Sequence, residues 1–218
     1  MATNTELLSE PLPAEPLTLA AAWLEQAWRE GRQPNPNAMV LATTTPEGHP
    51  SARVVLCKDI TPQPGFVVFY TNYLSRKGRE LAENPRAAMV MHWDHLQRQV
   101  RVEGRVARVP EAESDAYFAS RALESRVGAW ASQQSQPIAS RAQLLAAVEA
   151  EARRLGAPNL VTVPRPPHWG GFRLWAEAVE LWVEGDARIH DRARWTRTLT
   201  PRGDSFDTGP WAATRLQP

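Results

Sequence analysis

The sequence predicts a mainly β, α+β fold: an antiparallel sheet closed into a barrel, with helices on its periphery. Three observations carry this expectation. Residues 38–109 hold five β-rich runs joined by short connections, and strands joined that way pair antiparallel. That many consecutive strands favour closure, which removes exposed sheet edges. Helical periodicity of apolar residues is restricted to a few segments around those runs. At 218 residues, with 43% hydrophobic and 22% charged side chains, the chain has the size and composition of one soluble domain.

The elements follow in order. Residues 1–15 are polar and proline-containing and are expected to form a mobile arm before a single domain at 16–218. Residues 16–31 place Leu19, Trp23 and Ala27, with Leu24 and Trp28, at helical spacing, and Gly31 stands where a helix would stop. "AMVLATTTPEGHPSARVVLCKDI" reads as a hairpin turning at Pro46, Glu47 and Gly48. Residues 65–71 and 86–93 are the next strands. Residues 98–109 form a long fifth, with Val100, Val102 and Val106 on one face, Gln99, Arg101, Glu103 and Arg105 on the other, and Gly104 as a bulge or bend. Short helices are expected near 111–120 and 141–155. A proline-rich connection then leads to a strand at 172–183 and a closing hairpin with a Gly/Asp/Ser loop.

A net charge of +1 argues against a nucleic-acid-coating surface, so any anion site must be local. No signal peptide and no membrane-length apolar run is visible, and the single Cys57 suits a reducing compartment; the cytoplasm is the expected location. No His/Cys/Asp/Glu spacing matches a known metal site, "MHWDH" included, and no nucleophile elbow or glycine-rich phosphate loop occurs.

All but two of the 25 basic residues are arginine, so Lys58 and Lys77 invite a reason. Ser75 is an expected N-cap for a helix at 76–84, which puts Arg76 and Lys77 at the positive end of the helix dipole. A bound anion would remove that conflict; a solvated helix end would tolerate it. Tyr117 and Arg121, four apart on a helix, share a face that Ser125 would approach if the helix continued. Arg53 and Lys58, five apart, fall on opposite faces of a regular strand. Arg188, His190 and Arg192 alternate, so in an extended strand they would share one face, either wet or set against an anion.

Together, "LPAEPLTL", "RVVLCK", "FYTN", "SRKGREL", "NPRAA", "RQVRVEG", "YFASR", "GAWASQQS", "HWGGFRL" and "VELWVEGDARIHDR" resemble the pyridoxamine 5′-phosphate oxidase family in order and spacing from about residue 12 to the end. The resemblance implies a homodimer of split β-barrels with FMN in clefts between subunits. It implies FMN contacts from Arg53, Val54, Val55, Leu56, Cys57, Lys58, Tyr70, Thr71, Arg76, Lys77, Gln99, Gln134, Ser135, Trp182 and Arg192. It further implies substrate contacts from Lys58, Tyr117, Arg121 and Ser125 around a phosphate, with Arg188 and His190 as catalytic residues near the reacting face. The implied reaction oxidises pyridoxamine 5′-phosphate or pyridoxine 5′-phosphate with O2 to pyridoxal 5′-phosphate and hydrogen peroxide, without a metal, nucleic acid or membrane.

The sequence departs from the family in four places, one of them the Ser-Gln before the Gly-Ala-Trp run, which reads Ser125-Arg126-Val127. An upstream Arg-x-x-Tyr element that closes over the substrate is not seen, the usual Ser-Arg-Pro reads Ser120-Arg121-Ala122, and the closing hairpin is long. Two other readings stay open at this point: a phenazine-type FMN oxidase of the same fold, and a non-catalytic flavin- or pyridoxal-phosphate-binding protein.

Overall fold

In a computed structural model of the chain, which describes residues 6–157 and 162–218, the first helix forms where the periodicity places it. Helix α1 spans Pro16–Glu30; the Glu15 carboxylate accepts from the Leu17 and Thr18 N–H groups, and Gly31 ends it at φ 60°. That left-handed conformation is one glycine adopts without penalty. The buried stripe is Leu17, Ala20, Trp23 and Ala27, whereas Trp28 is exposed. Trp28 follows Ala27 by one residue and is turned about 100° away from it, so the periodicity that serves its neighbours leaves it outside.

Strands β1 (Ala38–Thr44) and β2 (Pro50–Thr61) form the expected hairpin. Strands β3 (Phe66–Asn72), β4 (Arg86–Trp93), β5 (Arg98–Arg108) and β6 (Trp169–Val183) complete a six-stranded antiparallel barrel in the order β6-β3-β2-β1-β4-β5, closed by pairing of β5 with β6. Strand β6 begins three residues before the expected start. Its length lets one strand pair with β3 at Trp169 to Trp175 and with β5 at Phe172 to Val183. The inward face is apolar: Met39, Leu41, Val67, Phe69, Met89, Met91, Val100, Val102, Leu174, Val179 and Leu181 are buried in one core, with the α1 stripe packed onto it. The alternation expected for β5 is the one observed.

Gly104 marks a register shift between β5 and β6. A Cβ there would lie 1.9 Å from the Trp175 carbonyl oxygen. Gly104→Ala is therefore expected to destabilise the fold by about 2–3 kcal/mol, as overpacking against backbone does; an unchanged denaturation midpoint would show that the bulge opens freely.

Beyond the barrel, β7 (Asp191–Thr196) pairs with the end of β6, and β10 (Ala212–Leu216) pairs with β7. The single closing hairpin expected from the sequence is two nested pairs, because β8 (Leu199–Arg202) and β9 (Ser205–Thr208) form their own hairpin inside the β7–β10 connection. Helices α2 (Arg76–Glu83), α3 (Glu111–Ala119), α4 (Leu123–Ala131) and α5 (Arg141–Arg154) lie between strands. Helix α4 was not expected; the chain turns at 120–122 and starts it anew.

Residues 6–15, expected as an arm, make specific contacts. Leu8 is buried and its N–H donates to Asp191, the Pro13 carbonyl accepts from Trp195 Nε1, and Arg215 pairs with Glu10. Residues 158–161 of the proline-rich connection lie outside the described residues. No helix among the described residues is long and apolar enough to cross a membrane.

Candidate functional site

Strand β2 supplies one wall of a cavity of about 680 Å³, and β3, the start of α2, α3 with the turn after it, the segment after α4 and the start of β6 supply the rest. Arg53, Val54, Val55, Leu56, Lys58, Tyr70, Thr71, Arg76, Lys77, Tyr117, Arg121, Gln134 and Ser135 all line it. These are residues the sequence selected, gathered from five separate stretches. The sequence reading missed Ser51, Ala52, Asn72 and Trp169, which also line it.

The cationic end is built on α2. Ser75 caps the helix, its Oγ accepting from the Gly78 N–H, and the first-turn N–H groups have no partner within a helix. Lys77 Nζ donates to Thr71 Oγ1 (3.0 Å), Ser75 Oγ (3.2 Å) and Gln134 Oε1 (2.7 Å). All three acceptors are neutral. Burial pushes the Lys77 ammonium down to about 8 and nearby Arg53 adds to this, while Glu80 opposes it. Arg53 donates to Thr43 Oγ1 (2.5 Å), the Leu41 carbonyl and Ser51, and pairs with Glu80 at 3.3 Å. Arg76 Nε reaches Glu80 at 2.8 Å. Three cations thus converge on one end of the cavity, with part of their donor capacity uncommitted.

The other end is aromatic. Tyr70 stacks on Tyr117 (4.0 Å between centroids) and on Trp169 (5.5 Å), and Arg121 lies 4.7 Å above the Trp169 ring. Lys58 Nζ is 5.6 Å from the Tyr117 ring. Arg121 Nη1 is buried without a hydrogen-bond partner, a state that costs free energy unless an acceptor arrives. Donors and rings in this combination fit ligands that are both planar and phosphorylated.

Not every selected residue is here. Cys57 points into the core, 2% exposed, its thiol pushed up to about 12 by burial. Lys58 would lie on the face opposite Arg53 in a regular strand, or past the strand's end; it lies within β2, where the pairing with β3 shifts register between Cys57 and Asp59, and Arg53 and Lys58 both line the cavity. Ser125 is exposed on α4, because the helix that would have carried it past Arg121 breaks at 120–122.

Gln99, Trp182 and Arg192 form a second group, paired side by side across β5, β6 and β7. His190 joins it, 4.7 Å from the Trp182 ring, its Nδ1 accepting from the Gly185 N–H. None of the four lines the cavity of the same chain. The expectation that Arg188, His190 and Arg192 share a strand face is not met. Asp186–Arg188 is a 3-10 turn in which Ala187 (φ 52°) and Arg188 (φ 65°) are both left-handed, and the strand begins only at Asp191. Arg192 meets its anion within the chain, donating from Nε and Nη2 to Glu180 at 3.0 and 2.9 Å. Arg188 is exposed.

Barrel closure and a cleft of cationic, hydroxyl and aromatic side chains define a split β-barrel with a donor-lined cleft. Comparison with known proteins agrees. A family model described as pyridoxamine 5′-phosphate oxidase matches residues 24–154, and one described as the pyridoxine 5′-phosphate oxidase C-terminal dimerisation region matches residues 169–218. The chain belongs to the pyridoxamine 5′-phosphate oxidase family. A pyridoxine/pyridoxamine 5′-phosphate oxidase of Methylibium petroleiphilum is 51% identical over 94% of this chain and 89% of its own length. One of Paracoccus denitrificans is 46% identical over 94% and 95%. Among solved structures, PhzG from Burkholderia lata, in complex with tetrahydrophenazine-1-carboxylic acid, matches with a TM-score of 0.80 at 33% identity, covering 94% of each chain.

Proposed function

We propose that this chain is an FMN-dependent oxidase that converts pyridoxamine 5′-phosphate and pyridoxine 5′-phosphate to pyridoxal 5′-phosphate, with O2 as electron acceptor and hydrogen peroxide as co-product; for the amine, water hydrolyses the imine formed and ammonia leaves. The observation that carries this reading is the double endowment of one cavity: a cationic end at Arg53, Arg76 and Lys77 and a second phosphate-type set at Lys58, Tyr117 and Arg121. Two phosphorylated ligands, cofactor and substrate, account for both. When bound, FMN would supply the hydride acceptor and the route of electrons to oxygen.

The chain's own residues bind and orient. Arg53, Arg76, Lys77 and the first turn of α2 hold the cofactor phosphate, with Thr71, Gln134 and Ser135 beside them. Arg121 and Lys58 take the substrate phosphate with the Tyr117 hydroxyl, and the Tyr70–Tyr117–Trp169 stack excludes water from one side. The orphaned Nη1 of Arg121 supports this assignment. Gln99, Trp182, Arg192, Arg188 and His190 act on the cavity of a second copy, so the working unit is a homodimer. Two facts support it: this group lies apart from its own chain's cavity, and most of it falls in the stretch matching a dimerisation region. Exposed Val54 and Leu56 on the cavity wall, with exposed Val40 paired beside Val54 on β1, also leave an apolar strip for a partner to cover. In this arrangement Arg188 and His190 position the reacting carbon and stabilise or move a proton there.

The PhzG likeness keeps a second reading in view, oxidation of a substrate without a phosphate. Aerobic turnover of the FMN-loaded protein separates them. Stoichiometric aldehyde and peroxide from the phosphorylated vitamers, and poor turnover of unphosphorylated pyridoxamine, are the expected results. Flavin-loaded protein giving neither product would sink the proposal.

Lys77 gives the reading a pH signature. Its free-state pKa of about 8 means the ammonium is lost as pH rises past that value, whereas a bound phosphate dianion keeps the proton on. FMN affinity is therefore expected to be level from about pH 7 to 8 and to fall by up to about tenfold per unit above it. Lys77→Arg, charged throughout, should flatten the profile. Fluorescence-quenching titrations check both, and an affinity that rises with pH would contradict the assignment.

A further inference from the structure

We propose that Glu80 is a positioning residue for the cofactor phosphate: its buried carboxylate fixes Arg53 and Arg76 relative to each other and to the start of α2. The proposal rests on the reading that this cavity takes FMN. Glu80 stands one helical turn after Arg76, its side chain 5% exposed. Its two oxygens are divided between elements. Oε2 accepts from Thr43 Oγ1 on β1, from Ser51 Oγ (2.6 Å) and from Arg53 Nη2 (3.3 Å) on β2; Oε1 accepts from Arg76 Nε (2.8 Å) on α2. One carboxylate thereby joins two strands and a helix at the cationic end of the cavity.

A site that needed only attraction for an anion would not place a carboxylate among its cations. The bonds to Thr43, Ser51 and Arg53 hold β1, β2 and α2 together and so contribute to stability, but the bond to Arg76 adds little of it, because Arg76 is more than half exposed and such i,i+4 pairs contribute little. Orientation explains that bond. Guanidinium groups recognise phosphate through a fixed fork of N–H donors, and an arginine free to turn gives up affinity in ordering itself on binding. The charged groups facing Glu80 are Arg53 from β2 and Arg76 from its own helix, while β1 contributes the neutral Thr43; Lys77 lies close enough to feel the charge. Burial alone would raise the Glu80 carboxyl, but the Ser51 and Thr43 hydrogen bonds, with Arg76 and Arg53, bring it down to about 2, so it stays ionised at any working pH.

The test compares FMN with riboflavin, which lacks the phosphate, by fluorescence quenching in Glu80→Gln and Glu80→Asp. Positioning and bare charge predict opposite results. With its partners loosened, Glu80→Gln should bind FMN about tenfold or more weakly and riboflavin within about twofold of wild type. The pH above which FMN affinity falls should also drop below 8, because Glu80 no longer supports the Lys77 ammonium. Tighter or unchanged FMN binding in Glu80→Gln would overturn the proposal, as would equal loss of both flavins, which marks a role in folding. Should Glu80→Gln fail to fold, Glu80→Asp carries the test: it keeps the charge, loses one methylene of reach, and is expected to show the same FMN-specific loss. A wild-type chain that binds neither flavin overturns the reading of the cavity along with the role of Glu80, whereas FMN-binding wild type with an indifferent Glu80→Gln removes Glu80 alone.

Discussion

Arg188→Ala is expected to lower the rate of substrate oxidation by about a hundredfold or more, within the range seen when a positioned electrostatic or acid–base group is removed, while FMN affinity stays at the wild-type value. Arg188 is exposed and has no ion-pair partner among the described residues, so its loss leaves no buried group unsatisfied. Its backbone supports the same view. Ala187 and Arg188 both sit at positive φ, a conformation that costs residues other than glycine about 1 kcal/mol or more each and persists where the surroundings enforce it. Here the Ile189 N–H donates to the Asp186 carbonyl and the Gly185 N–H to His190, closing a tight turn that presents Arg188 outward. Single-turnover flavin reduction, measured beside an FMN titration, separates the two quantities. Equal losses in both would move Arg188 from the reacting face to the cofactor.

The parts of this molecule written in local periodicity were legible in the sequence. Alternation in β5 gave the buried face of Val100, Val102 and Val106, and Gly104 announced the bulge. The conflict between Ser75 as cap and Arg76 and Lys77 in the first turn pointed to the cationic end of the cavity, because two charges placed against a dipole need a reason. What failed were inferences that extended a regular element past an unseen break. Arg188, His190 and Arg192 would share a face only on an extended backbone, and nothing in Asp186-Ala187-Arg188 advertises two left-handed residues. Ser125 would approach the Tyr117 and Arg121 face along the helix only if that helix continued, and it ends at Ala119. Thr43, Ser51 and Glu80 escaped notice for another reason. Each is unremarkable in its own segment, and only the pairing of β1 with β2 and the packing of α2 on β1 bring them to one point. An acidic residue four after a first-turn arginine was the one signal available.

Two chains that are each inactive are expected to regain about a quarter of wild-type activity when refolded together, provided the catalytic group reaches the partner's cavity. One chain carries Lys77→Ala and an intact 185–192 segment; the other carries Arg188→Ala and an intact cavity. Random pairing gives heterodimers in about half of the molecules, and each isologous heterodimer contains one site with both lesions and one with neither. Half of the dimers with one good site of two is about a quarter of all sites. If cavity and segment from the same chain worked together, every site in every dimer would hold one lesion, and mixing would restore nothing. The separation already seen within one chain favours recovery: Lys77 lines the cavity, whereas Trp182 on β6, Arg192 on β7 and His190 just before β7 lie outside its lining. Recovery must also depend on refolding together, because folded homodimers that do not exchange subunits cannot form the good site.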